Sequence, residues 1–173
     1  VEWVKTHMKD FTGIVNAQYR DNKIIEISLR LARGGAYLLS TENSPLIKNI
    51  NNIAINLSLT INTIQEDIFD LTPKYNNSFD YILEQTCFCA IDPKNRHQYS
   101  NLAYDLLKVG GRLIGLWMPL DKDIKEGGPP FGVKEDEVKK LFSKQWKITE
   151  DCFPVQSIQA RKGREKLIVF EKL

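Results

Sequence analysis

The chain has 173 residues, 42% of them hydrophobic and 27% charged, with 10 Gly and 7 Pro; this excludes collagen-like and low-complexity classes and predicts one domain over residues 1–173 with a self-sufficient core. Its 24 basic residues against 22 acidic ones leave +2, too little for the broad basic field of a general nucleic-acid binder. No apolar run nears the roughly 20 residues of a membrane span, and VEWVKTHMKDF is too polar for a secretory signal. With three cysteines lacking zinc spacing, a cytoplasmic protein in a reducing compartment is expected.

In chain order, residues 11–17 (FTGIVNA) read as a short strand, and Asp21 or Asn22 is placed to N-cap a helix over 23–33 that Gly34 and Gly35 close. Residues 36–41 (AYLLST) form a second strand, and Pro45 opens a helix carrying Ile47, Ile50, Ile53, Ala54 and Leu57 at helical spacing. Residues 60–65 alternate like a strand, and FDYILEQ is a continuous run suited to a buried parallel strand. A short helix is allowed before it. Residues 93–108 read as a helix with Leu102, Leu106 and Leu107 inward, stopped by Gly110 and Gly111; RLIGLWM is a further buried strand. The breaker-rich PLDKDIKEGGPPFG is a loop, and VKEDEVKKLFSK a helix with acids in its first turn and lysines in its last. ITEDCFPVQSI and KLIVFEKL close the chain as an antiparallel pair. The alternation predicts an α/β, Rossmann-like sheet, mostly parallel, with helices on both faces and an antiparallel C-terminal hairpin.

In such sheets ligands bind beyond the carboxyl ends of the strands. There the sequence places Glu42 and Asn43, where a carboxylate suits the two hydroxyls of a ribose. Next come Asp67, suited to an adenine amino group, and Ile68, whose amide suits a ring nitrogen. Glu84, Gln85 and Thr86 follow the fourth strand. Each acidic residue is equally suited to a turn or an N-cap. Cys87 and Cys89 have only His97 nearby and are read as small buried side chains, not nucleophiles. No metal site is expected.

Thr86, Phe88, Cys89, Ala90, Pro93, Arg96, Gly110, Gly111 and the run Gly128-Pro129-Pro130-Phe131 occur in one order and spacing. On these residues the chain resembles the thiopurine S-methyltransferase-like family of S-adenosylmethionine-dependent methyltransferases, closely over 79–131 and more loosely from residue 36 to the C-terminus. The resemblance implies methyl transfer to a small thiol, thiopurine, halide or similar soft nucleophile, by positioning and without a catalytic acid or base. It implies that Arg96 orients an anionic acceptor and that Phe88, Pro130 and Phe131 wall its pocket. Two alternatives stay open: Arg96 pairing with an acidic neighbour, and Phe88 belonging to the core.

The chain departs from that family where a glycine-rich turn should follow the first strand. It has instead Asn16-Ala17-Gln18-Tyr19-Arg20-Asp21, in which Asn16 and Asp21 are the candidates for the cofactor's methionine end. Trp3 stands where the family carries a covering tryptophan segment, and the front of the domain is expected to be shortened. One alignment keeps 23–33 as a helix; the other makes KIIEI the first strand, with the glycine turn deleted. The helix is preferred because Ile24, Ile27 and Leu31 share one face, and an extended KIIEI would overturn it. Besides an active enzyme, a degenerate relative serving as a cofactor-binding or partner subunit remains open, as does an enzyme using the same cofactor by another route.

Overall fold

The computed structural model describes residues 13–14, 17–20, 23–27, 55–56 and 67–173. The strands expected at 36–41 and 60–65 lie outside these, as do Trp3, Asn16, Asp21, Glu42 and Asn43. Of the helix expected after Pro45, the described Ile55 and Asn56 are helical.

The main sheet has the order β1-β4-β5-β7-β6, with β1 at Gly13–Ile14, β4 at Phe79–Gln85, β5 at Leu107–Trp117, β6 at Trp146–Cys152 and β7 at Lys166–Lys172. β1, β4 and β5 run parallel, with Ile14 opposite Ile82 and Ile82 opposite Leu113. β7 is antiparallel to both β5 and β6. This is the mixed α/β sheet that the sequence predicts. β6 ends at Cys152, short of the expected stretch through Ile158, because the following Phe153-Pro154 brings in a residue without a donor for the ladder.

The helix expected over 23–33 is overturned at its start. Lys23–Ile27 (β3) is extended and pairs antiparallel with Ala17–Arg20 (β2). Only Asp21 and Asn22 separate the paired Arg20 and Lys23, a hairpin spacing, and both residue types suit such turns. Ile24, Ile25 and Ile27 are β-branched and favour the extended state once a partner strand exists. The hairpin forms its own two-stranded sheet, so KIIEI is not a strand of the main sheet either.

Helix α1 (Arg96–Leu106) follows a 3-10 turn at Pro93–Asn95 that Asp92 caps through the Lys94 amide. Its buried residues Arg96, Tyr99, Ser100, Leu102, Ala103 and Leu106 recur at helical spacing and form the stripe packed on the sheet. The helix stops two residues earlier than expected, and Leu107 begins β5. The carbonyls at its end are all taken. Asp105 and Leu106 accept from the Asn77 and Ser78 amides at 2.8 and 3.0 Å. Tyr104 and Leu107 accept from the buried Lys172 ammonium, both at 2.7 Å, and Asn77 Oδ1 accepts its third hydrogen bond at 2.9 Å. Lys172, the penultimate residue, thus ties the C-terminal strand to the end of α1.

Helix α2 (Glu135–Leu141) buries Val138 against an aromatic group. Phe142 stacks on Phe170 at 4.8 Å, and Trp117 meets Phe142 at 5.5 Å and Phe88 at 5.1 Å. Such ring pairs add stabilisation beyond their buried area. Trp117 folds back along its own strand over Gly115, where a Cβ would overlap the indole. Gly115→Ala is therefore expected to lower unfolding free energy by about 1–3 kcal/mol, read as a reduced midpoint with unchanged slope in urea unfolding.

Candidate functional site

The carboxyl ends of β1, β4 and β5 share one edge. β4 runs three residues past the Ile14–Ile82 pair to Gln85, which is half-buried, and Thr86 after it is buried. Thr86 adopts φ +64°, which is rare for a β-branched residue and strained by roughly 1–3 kcal/mol. Right-handed Cys87 follows, and this left-right sequence turns successive amides toward one point, a concavity that accepts anions.

The anion is supplied by the chain itself. Glu84 is 1% exposed; its Oε1 accepts from the amides of Cys87 and Phe88 at 3.1 and 2.9 Å, and its Oε2 from the Tyr99 hydroxyl at 2.7 Å. Both oxygens of this predicted cofactor residue are thus occupied within the protein. Burial raises the Glu84 carboxyl to about 7, although the two amides and Tyr99 pull the other way. The same burial, with the neighbouring Glu84 charge, raises the Tyr99 phenol. The Cys89 thiol donates to the Thr86 carbonyl at 3.4 Å, and Cys87 and Cys89 are buried and in no disulfide.

Arg96 is 1% exposed. Its Nη1 donates to both Glu137 oxygens at 3.1 and 2.9 Å, and its Nη2 donates to the Gly132 carbonyl at 2.9 Å. The guanidinium lies 4.5 Å from the Phe88 ring centroid. This is the acidic-neighbour pairing that the sequence left open. Phe88, also 1% exposed, is enclosed by Tyr99, Trp117 and Arg96, which puts it in the core.

The loop between β5 and α2 closes against this cluster. Phe131 donates its amide to Cys89 O at 2.7 Å, Val133 to Pro119 O at 3.0 Å, and Lys122 Nζ to Pro130 O at 2.7 Å. Gly132 lacks room for a Cβ, which would overlap the Lys122 carbonyl. Pro130 is exposed and Phe131 half-buried, so both keep a free face. Farther along the same edge, Arg164 holds Asp121 at 2.6 Å and Leu120 donates to Arg164 O at 2.9 Å.

Asp67 and Ile68 open a 3-10 turn at Ile68–Asp70. Asp67 is exposed, and its Oδ1 caps the Phe69 amide at 2.9 Å, leaving Oδ2 without a partner among the described residues. The Ile68 amide, first in the turn, has no acceptor within it. A carboxylate oxygen and an amide side by side, neither with a partner among the described residues, suit a ligand edge that offers one donor and one acceptor. Sequence reasoning missed Tyr99 and the inward direction of Glu84. Strand alternation carried the signal, because Glu84 shares the face of buried Ile82.

The family model for thiopurine S-methyltransferase (TPMT) matches residues 27–172. The chain belongs to this family. Thiocyanate methyltransferase 1 of Brassica oleracea is 37% identical over 114 residues, which are 64% of this chain and 47% of that protein. Thiopurine S-methyltransferase of Bos taurus is 30% identical over 142 residues, 82% of this chain and 49% of that protein. The chain spans about half the length of these relatives. Among solved structures, a Burkholderia thailandensis 1,6-didemethyltoxoflavin-N1-methyltransferase with bound S-adenosylhomocysteine superposes with a TM-score of 0.52 at 14% identity, covering 72% of this chain and 56% of that one. The fold is that of class I methyltransferases. No helix among the described residues is long and apolar enough to cross a membrane.

Because this family member holds the Glu84 proton more tightly when folded, stability is fully present below about pH 4.5 and falls as pH rises toward about 7. Relative to Glu84→Gln, which keeps an acceptor and carries no charge, wild type should lose up to about 3 kcal/mol across that window. Chemical denaturation of both proteins from pH 4 to 8 measures the difference, and parallel profiles would refute it.

Proposed function

We propose that the protein transfers a methyl group from S-adenosylmethionine to a small thiol, thiopurine, halide or similar soft nucleophile. The family match over residues 27–172 carries this reading. Relatives named thiocyanate and thiopurine methyltransferase and a structural neighbour with bound S-adenosylhomocysteine support it. When bound, S-adenosylmethionine supplies an electrophilic methyl on a sulfonium, so the chain's own task is to orient the partners and keep water out.

In this reading Asp67 Oδ2 and the Ile68 amide receive the adenine edge, and Glu42 with Asn43 holds the ribose hydroxyls. Gln85 and Thr86, placed by Glu84, border the methionine end together with Asn16 and Asp21, and Trp3 covers it. Pro130 and Phe131 wall the acceptor pocket. Arg96 acts on that wall by anchoring Gly132 and stacking on Phe88. The acceptor is a small molecule and not nucleic acid, in keeping with the balanced charge. We place the protein in the cytoplasm, since its three cysteines form no disulfide.

One observation favours a second reading, a cofactor-binding relative without catalysis. Ala17–Arg20 and Lys23–Ile27 pair antiparallel where the family carries a glycine-rich turn, and residues 16–27 hold no glycine to let a ligand approach the backbone closely. Calorimetric titration with S-adenosylmethionine and S-adenosylhomocysteine tests both. Binding with turnover of a thiol supports the first, binding without turnover the second, and no heat or thermal shift from either ligand refutes both. Glu42→Ala and Asp67→Ala are each expected to weaken binding by about 1–3 kcal/mol; unchanged affinity would mean that the ligand sits elsewhere.

A further inference from the structure

The turn after β4 holds a β-branched residue in a conformation it avoids, and one buried side chain faces the amides that fix that conformation. Thr86 has φ +64°. The next two amides, of Cys87 and Phe88, both donate to Glu84 Oε1 at 3.1 and 2.9 Å. Tyr99 on α1 holds the other oxygen at 2.7 Å, which fixes the carboxylate's rotation. The Cys89 thiol donates to the Thr86 carbonyl at 3.4 Å. Without an acceptor at position 84, two buried amides would lose their partner and the turn would relax toward negative φ, which threonine prefers. That relaxation would swing Thr86 and the end of β4 at Gln85, at the carboxyl edge of the sheet.

We propose that Glu84 is a positioning residue for the cofactor: it never touches the ligand, and it fixes the left-handed Thr86 turn that borders the methionine end. This rests on the S-adenosylmethionine reading above. It differs from a filling role in the core, because it requires an acceptor at position 84 and operates through the backbone of residue 86. Two substitutions separate these. Glu84→Met fills a similar volume without an acceptor, and Glu84→Gln keeps one. Thr86→Gly makes positive φ accessible without support.

The test is a double-mutant cycle on S-adenosylhomocysteine affinity. Glu84→Met in the wild-type background should weaken binding at least tenfold, and Glu84→Gln less than threefold. In the Thr86→Gly background, Glu84→Met should cost less than threefold. Equal losses in the two backgrounds, with wild type binding normally, overturn this proposal and leave the cofactor reading intact. A wild type that does not bind overturns the cofactor reading and this proposal with it. Hydrogen exchange adds a measurement that needs neither ligand nor variant. The Cys87 and Phe88 amides of wild type should exchange as slowly as the β4 ladder, and exchange at the rate of an exposed loop overturns the proposal even if Glu84→Met fails to fold.

Discussion

A carboxylate removed from water, with three donors turned onto it, organises the edge of the sheet where β4 gives way to α1. Glu84 stands on the buried face of β4 and reaches forward to the amides of Cys87 and Phe88 and across to Tyr99 on α1. A strand, a turn and a helix are thereby joined through two oxygen atoms. A buried charge is unfavourable in isolation, and its elevated pKa reflects that. It is tolerable because each donor would itself lack a partner without it, so the group and its surroundings require one another.

Arg96 repeats this logic one turn of α1 earlier. A guanidinium at 1% exposure would be untenable alone. Glu137 takes two of its hydrogen bonds, the Gly132 carbonyl a third, and the Phe88 face covers its plane. Phe88 is the point of contact between the two systems, since its amide binds Glu84 and its ring receives Arg96. The turn after β4 and the Gly128-Pro129-Pro130-Phe131 loop are therefore not independent walls. They are fastened to one residue, by Glu84 through the Phe88 amide and by Arg96 through the Phe88 ring, and the Phe131 amide on Cys89 O adds a direct backbone link. Farther along this edge, where Lys166 pairs with Trp117 at the end of β5, Lys139 and Lys166 bridge Glu135 and Asp151. Those groups are partly exposed and screened by solvent, so they contribute little by comparison.

Most of the sheet was legible in the sequence because its signals do not compete. FDYILEQ and KLIVFEKL are apolar runs too short for helices, and residues 96–106 carry an unbroken helical stripe. The stretch 17–27 was misread because its signals do compete. Asp21 and Asn22 serve equally as helix caps and as hairpin residues, and Ile24 and Ile27 fit one face of a helix while the β-branched trio fits a strand. What decided it was Ala17–Arg20 as a partner, and pairing is not visible in either segment alone. At the site, residue types were legible and directions were not. Glu84 attracted notice as a carboxylate at a strand end and Arg96 through the family resemblance, each with an acceptor or ligand as one of its readings. Both turn inward, because strand alternation and helical spacing place them on the faces of Ile82 and Tyr99.

Methyl transfer from a sulfonium asks little of proton transfer and much of geometry, since misplacement by about 1 Å can cost on the order of 100-fold in rate. A site of that kind gains more from a rigid border than from a reactive side chain. The described edge has this character. Asp67 and Pro130 are exposed there and Gln85 and Phe131 half-buried, while Glu84 and Arg96 are buried beneath as supports. The strained Thr86 and the buried Glu84 each lower stability taken singly, yet together they define a single conformation of the turn. If this edge borders the cofactor as proposed, strain held by a surrounding network is what a positioning site retains, whereas glycine or asparagine would hold the same turn without strain.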